Sequence, residues 1–260
     1  MPNQIHPTAI IHPEALLGND ISVGPYSVID QNVTIGDGCR IGPGVHLTGH
    51  TTIGRENRFH TGCVIGDEPQ DLSYRGAPTR LEIGDRNTFR EQVTIHRSNK
   101  EEESTEIGSE NLFMVNSHVG HNAQVGNQNI LANGTLIAGH AIIEDRVVFG
   151  GNTAVHQFVR VGKLALLQGL CALSQDLPPF MIACNVNELA GMNIIGMKRA
   201  EISTDQRSEL KRLYHLLFRK GLSLKTAIKQ ARDQSHGECC RIVLDFIQSS
   251  KRGICHRLRS

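Results

Sequence analysis

The stretch NSHVGHNAQVGNQNILANGTLIAGH, residues 116–140, repeats itself every six residues. An aliphatic residue recurs at Val119, Val125, Leu131 and Ile137, with mostly small and polar residues between. The phase extends in both directions. Toward the N-terminus it passes Phe113 and Ile107, then Ile95, Phe89 and Ile83, then every sixth residue from Ile65 back to Ile5. Toward the C-terminus it continues through Ile143, Phe149, Val155, Val161 and Leu167. An amphipathic helix repeats every 3.6 residues and a half-buried strand every two, so a strict six is neither. The pattern predicts one residue in six pointing into a shared interior, with short strands joined by tight turns. Gly, Asn and Asp near the corners suit turn geometry. This is the hexapeptide signature of a parallel β-helix, in which three hexapeptides form one triangular coil and residues eighteen apart stack. A β-sandwich would instead show alternating strands separated by irregular turns.

Two segments interrupt the count. Residues 67–80 read DEPQDLSYRGAPTR and residues 98–106 read SNKEEESTE. Both gaps are multiples of six, which predicts loops thrown outward with the coil number preserved. The second, charged and polar, reads as a solvated loop. The first carries Asp71, Tyr74 and Arg75 and is a candidate for ligand contact, because loops on rigid scaffolds often carry function.

The hexads fade after Leu167, and from about residue 187 a helical period takes over. Ser203 with Gln206 predicts a capping box. Leu210, Leu213, Tyr214, Leu217 and Phe218 then form one face, and Gly221 can stop the helix. A second helix starts at Ser223, and Ile242, Val243, Phe246 and Ile247 mark a third. The expected division is a β-helix over 1–186 and a helical part over 187–260, packed near the open end of the coil to protect its last edge.

The chain has 260 residues and a net charge of +1, which gives no nucleic-acid signal. It contains no apolar run of membrane-spanning length and no signal-like start, which argues against secretion or membrane insertion. Seven scattered cysteines without metal-ligand spacing read as free thiols in a reducing compartment. Charge is uneven along the chain. Residues 198–260 hold fifteen Lys or Arg against six Asp or Glu. A basic appendage suits an acidic partner, whether nucleic acid, an acidic carrier protein or a phosphorylated small molecule, or else it simply solvates exposed helix faces.

Stacking by eighteen sets His121 over Gly139, with His140 beside it, and His118 over Leu136. His156 lies on the neighbouring level. A zinc site would need three converging ligands, and outward side chains of one coil diverge. No cysteine accompanies the cluster as a nucleophile. Polar histidines lining a subunit contact are one reading. A general base needs one imidazole near neutral pH and a hydroxyl to deprotonate, and acyl transfer adds a donor for the oxyanion. The backbone N–H of Gly139 is available on the next coil for that role. A rod has flat faces and no deep pocket of its own, so a trimer with clefts between neighbours is expected.

Further motifs sharpen the reading: IGDEPQDLSY at 65–74, PTRLEIGDRNTFREQVTIHR at 78–97, NSHVGHNAQVGN, LIAGH, AVHQFVRVG, QDLPPF, and GMNIIGMKR at 191–199. With these the chain resembles the UDP-N-acetylglucosamine O-acyltransferase family over nearly its whole length. The resemblance implies a left-handed parallel β-helix followed by a small α-helical C-terminal domain. The implied reaction moves a 3-hydroxyacyl group from acyl carrier protein to the 3-position of the UDP-sugar, the first step of lipid A synthesis. It further implies a cytoplasmic homotrimer, with no metal and no cofactor beyond the phosphopantetheine that the carrier brings. By motif position, His121 is the catalytic base and Gly139 the oxyanion donor. His118, His140, His156 and Gln157 line the substrate, Asp71 and Tyr74 reach the cleft on the long loop, and Gly169 limits acyl chain length. Asn193 and Arg199 lie near the UDP-sugar, where an arginine suits a diphosphate.

The chain departs from the family pattern at four places. Asn122 stands where an aspartate often follows the histidine. Ser73 replaces a loop lysine, and ACNVNELAGMN is one residue short and lacks a Gly-Asn pair. Ile195 stands where a glutamate can occur. A UDP-sugar bearing a 3-amino group is a second candidate acceptor, since an amine demands less of the base. A related N-acyltransferase would carry an additional N-terminal domain before the hexads, which here begin at Ile5. A small-molecule acetyltransferase would share the β-helix and a groove histidine but not the PQDL and AVHQF motifs. A non-catalytic scaffold would share the coil, and so would a zinc-binding hexapeptide protein whose histidines hold metal between subunits.

Overall fold

The computed structural model describes residues 2–233 and 237–256. Arg257 and Arg259 of the basic tail lie outside the described residues. Among the described residues, three sheets of eleven, nine and eight short strands, parallel except for the last strand of the first, form a left-handed β-helix. In the first coils the pairing is Ile5 with Val23, Ile11 with Ile29 and Leu17 with Ile35, the predicted eighteen-residue register. Across the first interruption Ile53 pairs with Ile83, and across the second Ile83 pairs with Ile107. The coil therefore absorbs both inserts without losing step.

The inward count differs from the expectation of one residue in six, because two point inward. Besides Val23, Ile29 and their successors, the residues two positions earlier are buried, among them Ile21, Val33, Val45, Cys63, Val93, Ala123 and Val147. Strand pleat is the reason: positions i and i−2 face the same side even when the strand is only two residues long. The second column is smaller and partly polar. Asn57, Asn87, Asn111 and Asn129 occupy it as a buried ladder. Asn87 Nδ2 donates to Asn57 Oδ1 at 3.0 Å and Asn111 Nδ2 to Asn87 Oδ1 at 2.9 Å. The ladder satisfies most of these amide groups, as burial requires, although Asn129 Nδ2 has no partner. Beside it Phe59, Phe89 and Phe113 stack at 4.7 and 4.9 Å. Each fully buried Ile, Val or Phe contributes about 1.5–3 kcal/mol through the area it removes from water. Among the described residues no strand pairs on the outer side of the first coil, and Ile5 is 46 % exposed.

From Asp20 onward, most corners place one residue in the left-handed region. Most are not glycine; Asn122 has φ +58° and His140 φ +59°. Asn and His enter this region more readily than β-branched residues.

At the far end, Met181–Cys184 joins the eleven-stranded sheet and Glu188–Met192 returns antiparallel to it. Residues 188–192 are therefore a strand, where a helical period was expected to have begun. Among the described residues four helices follow: α1 (Ile194–Arg199), α2 (Thr204–Phe218), α3 (Leu224–Arg232) and α4 (Glu238–Gln248). The short α1 was not expected. The capping box at Ser203 and Gln206 and the Ser223 cap are present. The helices bury Leu210, Leu213, Leu217, Cys240 and Val243 around Phe180 and Met197. Tyr214 packs against the core of the coil. Beyond α4 the chain returns to the last coil, where Ile254 bridges Asp176 and His256 bridges Glu188. The end of the rod is thereby covered.

Candidate active site

Val119 follows His118 in a strand of the nine-stranded sheet, and Gln124–Val125 begins the next face. Gly120, His121 and Asn122 form the corner between them. One coil on, Ala138, Gly139 and His140 form the same corner. One and two coils back, where Ile95 pairs with Val119 and Ile65 with Ile95, the corner is replaced by the two inserted loops. Both loops thus leave the rod directly above His121.

The second loop is not the solvated excursion expected of it. Ser98 is fully buried, and the loop closes on Asn122. Asn122 Nδ2 donates to Ser98 Oγ at 2.7 Å and to Glu103 Oε2 at 2.6 Å. Asn122 Oδ1 accepts from the backbone N–H of Asn99 at 3.0 Å and lies 2.8 Å from His121 Nδ1. The backbone N–H of Asn122 donates to Thr105 Oγ1 at 2.8 Å. The first loop reaches this knot through Asp71, which accepts from the side-chain amide of Asn99.

This network decides the tautomer of His121. A backbone N–H only donates, so Asn99 marks the amide oxygen of Asn122. A carboxylate only accepts, so Glu103 marks the amide nitrogen. Facing the oxygen, His121 Nδ1 must carry the proton. Nε2 is left with its lone pair, the state a general base requires.

Nε2 lies against Gly139. A Cβ built on Gly139 would stand 2.8 Å from both Cε1 and Nε2 of His121. Glycine is therefore required by close approach and not by an unusual φ. The Gly139 N–H makes no hydrogen bond among the described residues. His121 is 7 % exposed, and the His140 ring meets it edge-on at 5.2 Å.

The surrounding histidines are held toward neutrality. Burial, reinforced by nearby His96 and His121, lowers His118 to about 4 against the help of Thr94. Its Nδ1 lies 2.8 Å from Thr94 Oγ1 and its ring packs on His96 at 5.0 Å. His96 is lowered by burial. His140 is lowered by burial and by His121, against Glu103 and Asp71, and stacks on Phe158 at 4.6 Å. The carboxylates shift the other way. Asp71 falls to about 2, chiefly through the Ser73 N–H and then the Asn99 amide and the Ser73 hydroxyl. Glu103 is lowered mainly by Lys100, with partial burial opposing and the Asn122 amide assisting.

A cleft of about 790 Å³ opens below this corner. His118, Leu136, Ala154 and Ala172 stack in one column down the outer surface of the nine-stranded sheet. All four line the cleft, with Val186 and Ser174 at its lower end. Strands lie about 4.8 Å apart, so the apolar track below His118 runs about 14 Å.

The cleft brings together His118, His121, Gly139, His156 and Gln157. His140 and Asp71 join through contacts with the knot. The remaining sequence candidates lie elsewhere. The Tyr74 hydroxyl donates to Ala77 O and accepts from Arg97, so it faces the root of its own loop. Arg75 donates to the Leu72 and Tyr74 carbonyls of its own loop. Gly169 sits on an exposed corner under Gly151, outside the cleft of a single chain. Asn193 is 5 % exposed and caps α1, accepting from Gly196 N while donating to Leu164 O. Arg199 is exposed in the last turn of α1. Sequence reasoning missed Gln70, Thr94, His96, Ser98, Asn99 and Glu103. Among the described residues, no three His, Cys, Asp or Glu side chains converge as a metal site. Burial pushes up the thiols of the coil, Cys63 to about 11 and Cys171 to about 12.

Residues 176–255 match the family model described as UDP N-acetylglucosamine O-acyltransferase, domain 2, and residues 32–67 match bacterial transferase hexapeptide repeats. An acyl-[acyl-carrier-protein]–UDP-N-acetylglucosamine O-acyltransferase of Paraburkholderia phymatum is 42 % identical over 259 residues, covering 97 % of this chain and 99 % of the relative. The solved UDP-N-acetylglucosamine acyltransferase of Campylobacter jejuni superposes with a TM-score of 0.92 at 34 % identity, over 98 % of this chain and 100 % of that one. The Moraxella catarrhalis O-acyltransferase gives 0.92 at 37 % identity, over 97 % and 99 %.

Proposed function

The chain belongs to the UDP-N-acetylglucosamine O-acyltransferase family, and from that premise we infer how its cleft works. The enzyme transfers an acyl group from acyl carrier protein to UDP-N-acetylglucosamine. His121 acts as general base. The hydroxyl at the sugar 3-position attacks the thioester carbonyl carbon while His121 Nε2 takes its proton. The Gly139 N–H stabilises the oxyanion so formed. Collapse breaks the C–S bond, and the His121 imidazolium returns its proton to the departing phosphopantetheine thiolate. The products are the 3-O-acyl UDP-sugar and free carrier thiol, and no metal or further cofactor takes part.

The observation that carries this reading is the orientation of His121. Asn99 and Glu103 fix the Asn122 amide, the amide fixes Nδ1–H, and Nε2 is left basic beside an unpaired backbone donor. The roles of the neighbours follow from their placement. His118, kept neutral, hydrogen-bonds substrate without competing for the proton. His140 packs against the base. His156 and Gln157 contact substrate lower in the cleft. A 3-hydroxyacyl chain suits the track from Leu136 to Ala172, which is apolar but narrow. Arg199 suits the diphosphate, Asp71 works by tying the first loop to the second, and Asn193 by holding α1.

A track along the flat face of a rod encloses a chain only when a second rod covers it. We therefore favour a homotrimer, with Gly169 facing a neighbouring subunit at the end of the track. The C-terminal part of the chain, treated as a unit over 187–260, carries the basic surplus that suits acidic acyl carrier protein. No described helix is long and apolar enough to cross a membrane, and a cytoplasmic setting fits the two soluble substrates. The test is incubation of purified protein with 3-hydroxyacyl carrier protein and UDP-N-acetylglucosamine. Mass spectrometry should find the monoacylated sugar nucleotide in an alkali-labile ester. Absence of that product would refute the reading, and an alkali-stable amide formed only with a 3-amino sugar would replace the acceptor.

A further inference from the structure

We propose that Glu103, on the second loop, is the carboxylate that supports the base, acting on His121 through the side-chain amide of Asn122. This rests on the reading of His121 as general base. In a catalytic unit of this type an acidic residue bonded to Nδ1 orients the ring and stabilises the imidazolium. Here Nδ1 faces an uncharged amide, but that amide does not end the chain. Its nitrogen donates to Glu103 Oε2 at 2.6 Å while its oxygen lies 2.8 Å from Nδ1. A hydrogen bond donated from one end of an amide polarises it and strengthens the bond accepted at the other. The order is imidazole, amide, carboxylate, with the charge one group further out.

The other charged or titratable groups around His121 do not substitute for Glu103. Asp71 lies near enough for His121 to help lower it through space, but it has no hydrogen bond to Asn122 and reaches it only through Asn99, whose backbone N–H makes the contact. His140 on the next coil is depressed toward neutrality, as are His118 and His96 on the same face. Lys100 pairs with the other oxygen of Glu103, Oε1, at 2.9 Å. That exposed pair leaves Oε2 for Asn122. Glu103 Oε2 also stands 4.0 Å from His140 Nδ1. Ser98 shares the Asn122 amide nitrogen, so the loop clamps the amide plane even before charge is considered.

A purely structural role for Glu103 would survive in Glu103→Gln, whose side-chain oxygen can still accept from Asn122. The charge role would not. Glu103 is 44 % exposed and one group removed from the ring, so screening keeps the effect well below loss of a direct carboxylate. Glu103→Gln is expected to lower kcat about three- to tenfold. The acidic limb of the kcat–pH profile should move to lower pH, since the carboxylate favours the protonated ring, and KM should change less than twofold. Lys100→Gln breaks the exposed ion pair but keeps the carboxylate and should retain near-parental kcat. Asn122→Asp places a carboxylate directly on Nδ1, and in that background Glu103→Gln should cost nothing or relieve repulsion. His121→Ala is assayed alongside. If it remains active, the base reading itself fails. If it is inactive while Glu103→Gln keeps the parental kcat and pH profile, the Glu103 assignment alone is overturned. Equal losses in Glu103→Gln and Lys100→Gln with no movement of the profile would also overturn it, by reducing the pair to a loop anchor.

Discussion

Replacing Gly139 with alanine tests the close approach between the two coils of the active corner. The added methyl would stand 2.8 Å from His121 Cε1 and Nε2 and 3.1 Å from His121 O. Ordinary contact begins near 3.4 Å, so the imidazole must retreat by about 0.6 Å or swing about its χ angles. Retreat presses it against Asn122 and His140, which are already packed, while swinging breaks the 2.8 Å bond from Nδ1. Either movement takes Nε2 away from the line between sugar hydroxyl and thioester. A misplacement of 1 Å can cost 10²-fold, and this one is somewhat smaller, so kcat should fall about 10- to 100-fold. The backbone N–H of residue 139 persists, so the loss would measure base geometry more than oxyanion stabilisation. KM for both substrates should change little, and the fold should persist, since the coil hydrogen bond from His140 N to His121 O needs only a small adjustment. Steady-state kinetics with both substrates varied, preceded by circular dichroism and sedimentation, gives the answer. A folded Gly139→Ala enzyme with parental kcat would show that the ring is not held where the structure places it.

Three further outcomes are expected. His118 is lowered from its ordinary value of 6.5 to about 4, so the unfolded chain binds its proton more readily than the folded one. Stability from this residue is present above pH 6.5 and is lost as pH falls toward 4, and His118→Gln should flatten the dependence of Tm on pH in that window; an unchanged slope would refute the buried neutral state. Gly169→Met should shift preference to a shorter acyl chain, at about 0.8 kcal/mol for each methylene excluded; competition between carrier proteins of different chain length would show it, and an unchanged product distribution would remove Gly169 from that role. Sedimentation equilibrium should find a trimer, and a monomer with full activity at nanomolar concentration would contradict a cleft completed by a neighbour.

Much of this was legible in the chain, for a physical reason. A β-helix stacks like on like, so its period, register and inserts are all written at fixed spacing. The His121–Gly139 and His118–Leu136 stacks follow from counting eighteen, as does the intact register across both interruptions. The second inward column was legible too, at Val33, Val45 and Val93, but its alternation with Ser27, Asn57 and Asn87 disguised it as polar. A buried amide ladder satisfies itself only along the stack, which no single hexapeptide reveals. The second loop misled because SNKEEESTE is rich in charge, and charge usually means solvent. Counting could have corrected this: both interruptions fall after residues that stack on Val119, so both had to emerge above His121. No spacing rule could show that Ser98, Asn99 and Glu103 then turn inward onto Asn122, because loop conformation depends on the groups it meets. Asn193 carries a similar lesson, since its amide serves a helix too short to declare itself in the sequence.

The central claim is that His121 Nε2 takes the proton of the attacking hydroxyl. The most direct measurement is kcat for His121→Ala with both substrates saturating, made on protein shown to be folded and in the parental assembly. The variant should keep its mass and fold, because the imidazole lies outside the aliphatic interior, and kcat should fall by about 10²–10⁴ with a smaller change in KM. A folded variant that transfers acyl groups near the parental rate would contradict the account and place the base elsewhere, with His140 the next residue to examine.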